Sequence, residues 1–166
     1  MDQKPNPWNP WNNPNPAAIR RVPYPTAKPH SCPYCQSPVE LVNNAVVYNK
    51  RSFGDWPYLY ICSNRQKCDA YVGLHPETDI PLGTLANKET RDARLAVKGV
   101  FNRIWQDKHM SRSEAYRFLA KRMQISDRDA KRDCHIALFD VAQCRKAQSI
   151  CTDYLTKPKG RNYAKP

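Results

Sequence analysis

Four cysteines carry the clearest chemistry in the chain. Cys32-Pro-Tyr-Cys35 places two thiols two residues apart, and Cys62-Ser-Asn-Arg-Gln-Lys-Cys68 places a second pair five residues apart. Zinc takes four tetrahedral thiolates at ~2.3 Å, and a two-residue spacer lets one tight knuckle present both sulfurs to the same ion. Pro33 pre-sets that turn. Twenty-six residues separate Cys35 from Cys62, enough for a hairpin that returns the second half-site to the first. The expected cofactor is one structural Zn2+ on Cys32, Cys35, Cys62 and Cys68. Four protein ligands fill the coordination sphere and leave no position for a reactive water. His75, in His-Pro-Glu-Thr-Asp79, is the alternate ligand, able to replace Cys68 or to pair with Asp79. Cys134, Cys144 and Cys151 are read as buried thiols of a helical core, with a second metal site as the alternative.

A second group of residues concerns charge. The 166 residues carry 27 Lys+Arg against 15 Asp+Glu, a formal net charge of +12. Residues 83–166 hold nineteen of those basic residues against nine acidic, whereas residues 32–82 hold four against five. The excess therefore lies outside the cysteine-rich segment, where an electrostatic footprint for nucleic acid belongs. Candidate phosphate contacts are Arg91, Arg94 and Lys98, which share one helix face by spacing. Arg117, Lys121 and Arg122, then Lys131, Arg132, Arg145 and Lys146 complete the set. Trp56, Tyr58 or Tyr60 would stack bases if single strands are bound. The opposing reading is that these charges only solvate helix faces.

The elements that must position these groups follow from pattern. Residues 39–42 and 46–48 are β-prone runs around Asn43-Asn44, a hairpin signal. Residues 58–62 and 70–73 are further strands, with a Gly/Asp/Pro loop between 52 and 57. After residue 83 the period becomes 3.6: Ala93, Ala96 or Val97, Val100 or Phe101, and Ile104 or Trp105 form one apolar face. Asn87 is a fair N-cap for that helix, and Ser111 with Glu114 forms a capping box for the next. Asp140 with Gln143 starts a third, whose face is Val141, Cys144, Ala147 or Gln148, Cys151, and Tyr154 or Leu155. Residues 126–133 are polar and read as one short turn of helix.

Nine of the fifteen prolines fall in residues 1–33. Asn6-Pro-Trp-Asn-Pro-Trp-Asn-Asn-Pro-Asn-Pro16 lacks aliphatic content, and each proline removes a backbone donor and fixes φ, so residues 1–30 are expected to be a disordered, PPII-like arm without helix or sheet. Trp8 and Trp11 are read as a docking motif for a protein partner, the alternatives being an unselected tail or a segment folded back on its own domain. The expected organisation is thus an arm at 1–30, a four-cysteine zinc ribbon at 31–82, a helical module at 83–155 and a basic disordered tail at 156–166. Leu82 and Leu85 are expected to anchor ribbon and helices together. The fold class is α+β.

Several classes are excluded or disfavoured. Mean hydropathy is −0.80, and no apolar run approaches the ~20 residues of a membrane span. No apolar leader stands at the start, so the cytoplasm is the expected compartment. Seven cysteines, an odd number, suit metal ligation and buried thiols better than a disulfide framework. No P-loop, Ser/His/Asp order or paired carboxylates stand out, so no enzyme and no small-molecule substrate are expected. The remaining enzymatic alternative is a metal-dependent nuclease using His75 and Asp79.

Longer strings carry a resemblance. These are Phe53-Gly-Asp-Trp-Pro-Tyr-Leu-Tyr-Ile-Cys62, Ala70-Tyr-Val-Gly-Leu-His-Pro-Glu-Thr-Asp-Ile-Pro-Leu-Gly-Thr-Leu-Ala86, Ser111-Arg-Ser-Glu-Ala-Tyr116 and Cys134-His-Ile-Ala-Leu-Phe-Asp-Val-Ala-Gln-Cys144. Together with Cys-Pro-Tyr-Cys at 32–35, this order resembles the small bacterial and phage-borne family of zinc-finger-containing proteins, over about residues 30–152. The resemblance implies a zinc ribbon joined to a helical module, often phage-encoded, and brings no established activity. Two functions follow as expectations. One is a nucleic-acid-binding accessory or regulatory protein. The alternative is an adaptor that binds or inhibits a host machine through its zinc domain and Trp-Pro arm.

Overall fold

The computed structural model describes residues 6–126 and 134–156. The chain divides between Lys88 and Glu89 into two compact units. The first is built on a three-stranded antiparallel sheet in the order β1 (Val39–Asn43), β2 (Tyr58–Cys62), β3 (Tyr71–Gly73). Central β2 is the apolar strand Tyr-Leu-Tyr-Ile-Cys, and Leu59 through Cys62 are buried. That is the pattern of a strand covered on both faces. Val39 pairs with Cys62 at one end of the β1–β2 ladder, and Asn43 with Tyr58 at the other. After β3 the chain turns at residues 75–80 and runs back beside it. Leu82 donates to the Gly73 carbonyl, and Tyr71 and Ala86 exchange backbone bonds at 3.0 and 3.2 Å. Leu85 is buried with Cys32, Tyr60, Cys62 and Leu74, but Leu82 is 49% exposed. Residues 81–86 thus belong to the sheet unit.

The expected hairpin around Asn43-Asn44 does not form. The Asn43 side chain accepts from the Ala45 N–H and starts a 3-10 turn at Asn44–Val46. Such local side-chain bonds compete with the strand ladder. Val46 and Tyr48 are exposed, and β1 pairs with β2 instead.

The expectation that the proline-rich segment is without helix is corrected at α1 (Pro16–Arg20). Pro16 occupies the first turn, where a missing N–H costs nothing, and Asn15 caps the helix by accepting from Ala17 and Ala18. Asparagines supply the hydrogen bonds that prolines lack. Asn9 accepts from Trp11 and Asn12, and Asn13 donates to the Pro7 carbonyl. Asn15 ties the segment to Glu77 through backbone and side chain, at 2.8 and 2.6 Å. Residues 1–5 lie outside the described residues.

The second unit contains α2 (Lys88–Gln106), α3 (Arg112–Met123) and α4 (Val141–Thr156). The caps expected for α3 and α4 are present. Ser111 and Glu114 form a reciprocal capping box, and Asp140 and Gln143 exchange bonds at 2.9 and 2.7 Å. Val97, Phe101 and Ile104 from α2 pack with Ala115, Leu119 and Met123 from α3 and with Cys144, Ala147 and Cys151 from α4. Burying one such large apolar side chain contributes ~1.5–3 kcal/mol. A 3-10 turn at Ile136–Leu138 adds Ile136 and Phe139 to this core, without a pattern that announced it. Residues 127–133 of the expected helical turn and residues 157–166 of the expected tail lie outside the described residues. No helix among the described residues is long and apolar enough to cross a membrane.

Candidate metal centre

The antiparallel pairing of Val39 with Cys62 brings the two half-sites together. The first knuckle is closed by Gln36 N–H to Cys32 O at 2.8 Å and Cys32 N–H to Ser37 O at 2.9 Å, with Gln36 in the left-handed region at φ 60. The second half-site starts at the end of β2. Its wider spacer is taken up by a turn in which Lys67 and Cys68 N–H both donate to the Asn64 carbonyl. Ser63 N–H donates to Pro38 O and so ties the second half-site to the chain leaving the first.

The result is a cluster of Cys32, Cys35, Cys62 and Cys68 whose sulfurs all lie within 4.8 Å of one another. Cys35 and Cys62 sulfurs are 3.4 Å apart, and Cys32 and Cys68 sulfurs 3.6 Å. A tetrahedron of ~2.3 Å Zn–S bonds has edges of about 3.8 Å, whereas a disulfide needs ~2.05 Å. The spacing therefore fits four thiolates around one ion, and all seven cysteines are free thiols.

Backbone amides prepare three of the sulfurs. Each cysteine accepts from the amide two residues on: Cys35 from Ser37, Cys62 from Asn64 and Cys68 from Ala70. These bonds favour thiolate. Exposed Cys35 is drawn down to about 6, first by the Ser37 hydroxyl and then by its amide. Burial outweighs the amide at Cys62, pushing it up to about 12, and also raises Cys68. A zinc ion supplies the positive charge that ionises such thiols outright.

His75 is not part of this cluster. Its backbone closes the 75–80 turn by accepting from Thr78 and donating to Ile80. Asp79 forms an ion pair with Lys28, and its carbonyl accepts from the Tyr60 hydroxyl at 2.9 Å.

A small β-sheet carrying two cysteine half-sites around a four-sulfur centre defines a zinc ribbon. The chain belongs to the family described as zinc-finger-containing domain, whose model matches residues 28–154. No curated protein and no solved structure gives a significant match. The family has no assigned function. The zinc is structural: four sulfurs occupy the sphere, and the apolar core around them is small, so metal binding supplies much of this unit's folding free energy.

The cationic residues separate into two kinds. Lys98, Arg117, Lys121, Arg122, Arg145 and Lys146 are exposed on the three helices. Arg91 and Arg94 are half-buried, and Arg94 Nε donates to the Phe139 carbonyl at 2.9 Å, fastening α2 to the segment before α4. Arg145 approaches Glu89 at 3.5 Å, both exposed; such a surface pair contributes only ~0–1 kcal/mol. Lys131 and Arg132 lie outside the described residues.

The aromatic residues are placed differently from expectation. Tyr60 is buried, and Trp56 and Tyr58 are half-buried. Trp56 Nε1 donates to the Thr78 carbonyl, and its ring meets Tyr58 at 5.0 Å. Burial takes Tyr60 out of reach of a base. Trp11, Tyr24, Tyr34, Tyr48 and Phe53 are exposed aromatic residues, and two of them, Tyr48 at 42% and Phe53 at 56%, lie in the loop between β1 and β2. Sequence reasoning passed over both, one as a strand residue and one as a loop residue. Trp8 is half-buried. Trp11 is 56% exposed, although its indole N–H donates to Leu41 O and its ring meets Tyr58 edge-on at 4.8 Å.

Proposed function

We propose that this chain is a zinc-stabilised nucleic-acid-binding protein. Zinc fixes the ribbon, and the helical unit supplies the phosphate contacts. The observation that carries the reading is the group of exposed cations Lys98, Arg117, Lys121, Arg122, Arg145 and Lys146, in a chain of net charge +12. Lysines and arginines that neutralise phosphates release condensed counterions, which drives association without base readout. Arg94 is left out of this set because its guanidinium is committed to the Phe139 carbonyl. The role is binding rather than catalysis, because a four-cysteine centre offers zinc-bound water no position. A nuclease built on His75 and Asp79 would have to work away from that metal.

The adaptor reading requires Trp8 and Trp11 to be available to a host partner. The Trp11 indole N–H and ring are engaged with Leu41 and Tyr58 of the same chain, which favours the nucleic-acid reading.

The test is a charge-reversal variant, Lys121→Glu with Arg122→Glu, in the zinc-loaded chain. Binding to DNA and RNA should weaken together, and the slope of log affinity against log salt should become shallower by roughly 2. An unchanged affinity and slope would remove α3 from the interface.

A further inference from the structure

The loop joining β1 to β2 carries exposed groups that the zinc site and the helical cations do not use. It lies at the Asn43–Tyr58 end of the ladder, opposite the Val39–Cys62 end that holds the cysteines. Tyr48 and Phe53 are 42% and 56% exposed and meet edge-to-face at 5.3 Å. Val47, Tyr48, Asn49, Arg51 and Phe53 line an open groove of about 570 Å³. Exposed Lys50 and Arg51 lie between the two aromatic residues in sequence.

This loop is held in shape. Asn44 clamps the Phe53 backbone from both sides, accepting from its N–H at 3.1 Å and donating to its carbonyl at 2.8 Å. Ser52 donates to the Asn43 side chain at 2.8 Å, and Asn44 N–H donates to Pro57 O at 2.7 Å. Asn49 and Lys50 are consecutive non-glycine residues in the left-handed region, at φ 49 and 65. Lys50 N–H donates to Ala45 O and Arg51 N–H to Tyr48 O, and these bonds hold the backbone there. Strained backbone that its surroundings over-determine is characteristic of binding loops. Large rings left in water are unfavourable in a purely structural loop. An aromatic pair that shares a groove with Arg51 and neighbours Lys50 in sequence matches a ligand with flat apolar faces on a negatively charged backbone.

We infer that the 44–57 loop is a stacking platform for unpaired bases, so that the ribbon binds single-stranded nucleic acid. Tyr48 and Phe53 offer the base-stacking faces, and Lys50 and Arg51 the phosphate contacts. Stacking of this kind tolerates any sequence, because every base has a π-face. A duplex keeps its bases stacked internally and would gain only the cationic contacts. The inference rests on the nucleic-acid reading but places the single-strand preference on the ribbon rather than on the helices.

The test uses the full zinc-loaded chain and fluorescence anisotropy against a mixed-sequence single-stranded DNA and its duplex. The variants are Tyr48→Ala, Phe53→Ala and the control Phe53→Trp, each checked for zinc content and melting temperature. Each alanine variant should lose roughly 5- to 100-fold in single-strand affinity, with little change for the duplex and little change in salt slope. Phe53→Trp should retain single-strand binding. If the chain binds single strands and both alanine variants bind equally well, the platform is overturned while the helical cations stand. If the unaltered chain binds no oligonucleotide at low salt, both readings fail, and the exposed pair becomes a candidate protein contact.

Discussion

Cys35 and Cys62 are 27 positions apart in sequence, yet their sulfurs lie 3.4 Å from each other. That proximity depends on the register of one strand pair. Val39 opposite Cys62 sets the second half-site beside the first, and a register slip would turn Cys62 to the other face of the sheet. The metal and the sheet therefore fix one another.

Cys62→Ser should abolish stoichiometric zinc binding and unfold the ribbon unit. Apparent binding energies for such structural zinc are about 10–16 kcal/mol, far above what the small core provides. Cys144→Ala, by contrast, should keep its zinc and cost about 1–2 kcal/mol from the helical unit. Metal analysis with denaturant melts separates the two. Full zinc occupancy and native stability in Cys62→Ser would refute the ligand assignment.

Thiol reactivity should appear in three stages. Zinc holds four cysteines, and burial shields Cys134, Cys144 and Cys151, with Cys134 and Cys151 pushed up to about 12. The native chain should react slowly with an alkylating reagent. Chelator should expose four thiols, with Cys35 reacting first because it is exposed and its thiolate is favoured. Denaturant should bring the total to the seven cysteines of the sequence. The three helical thiols stay protonated in the native state well above neutrality. Raising pH from 7 to 9 should therefore leave their reactivity low, and a steep rise would contradict their burial. Mass spectrometry of alkylated peptides gives the order.

Ser111→Ala should destabilise the helical unit by about 1 kcal/mol, because it removes the acceptor for the Glu114 N–H and breaks the capping box. Urea denaturation followed by circular dichroism reads this directly. The ribbon's zinc content should not change.

Trp11→Ala should release the proline-rich segment. The indole covers the Leu41 carbonyl on edge strand β1 and packs on Tyr58. Trypsin cleavage after Arg20 or Arg21 should accelerate several-fold while the zinc site stays intact. Equal cleavage rates would mean that the Asn15–Glu77 bonds alone hold the segment.

Much of this architecture was legible in the residues. Cysteine spacing identified the metal ligands, because zinc demands a particular donor set. The 3.6 period and the Ser111 and Asp140 caps located α3 and α4, because those signals are local. What escaped depends on partners distant in sequence. Arg94 reads as a phosphate contact by its spacing, but its guanidinium meets Phe139, 45 residues later. Tyr60 reads as a stacking residue by type, but lies in the central strand of the sheet. Val46 and Tyr48 have strand propensity, and a single asparagine bond to Ala45 diverts them into a turn. The proline-rich segment folds because Asn15 and Glu77, 62 positions apart, meet.

The most direct test of the account is nucleic-acid affinity of the zinc-loaded chain across a salt series, by fluorescence anisotropy with single-stranded DNA, duplex DNA and RNA. The account predicts binding that falls linearly on a log–log plot. Its slope should reflect several neutralised phosphates, with the single strand bound more tightly than the duplex. Absence of binding at low salt, or affinity indifferent to salt, would contradict it.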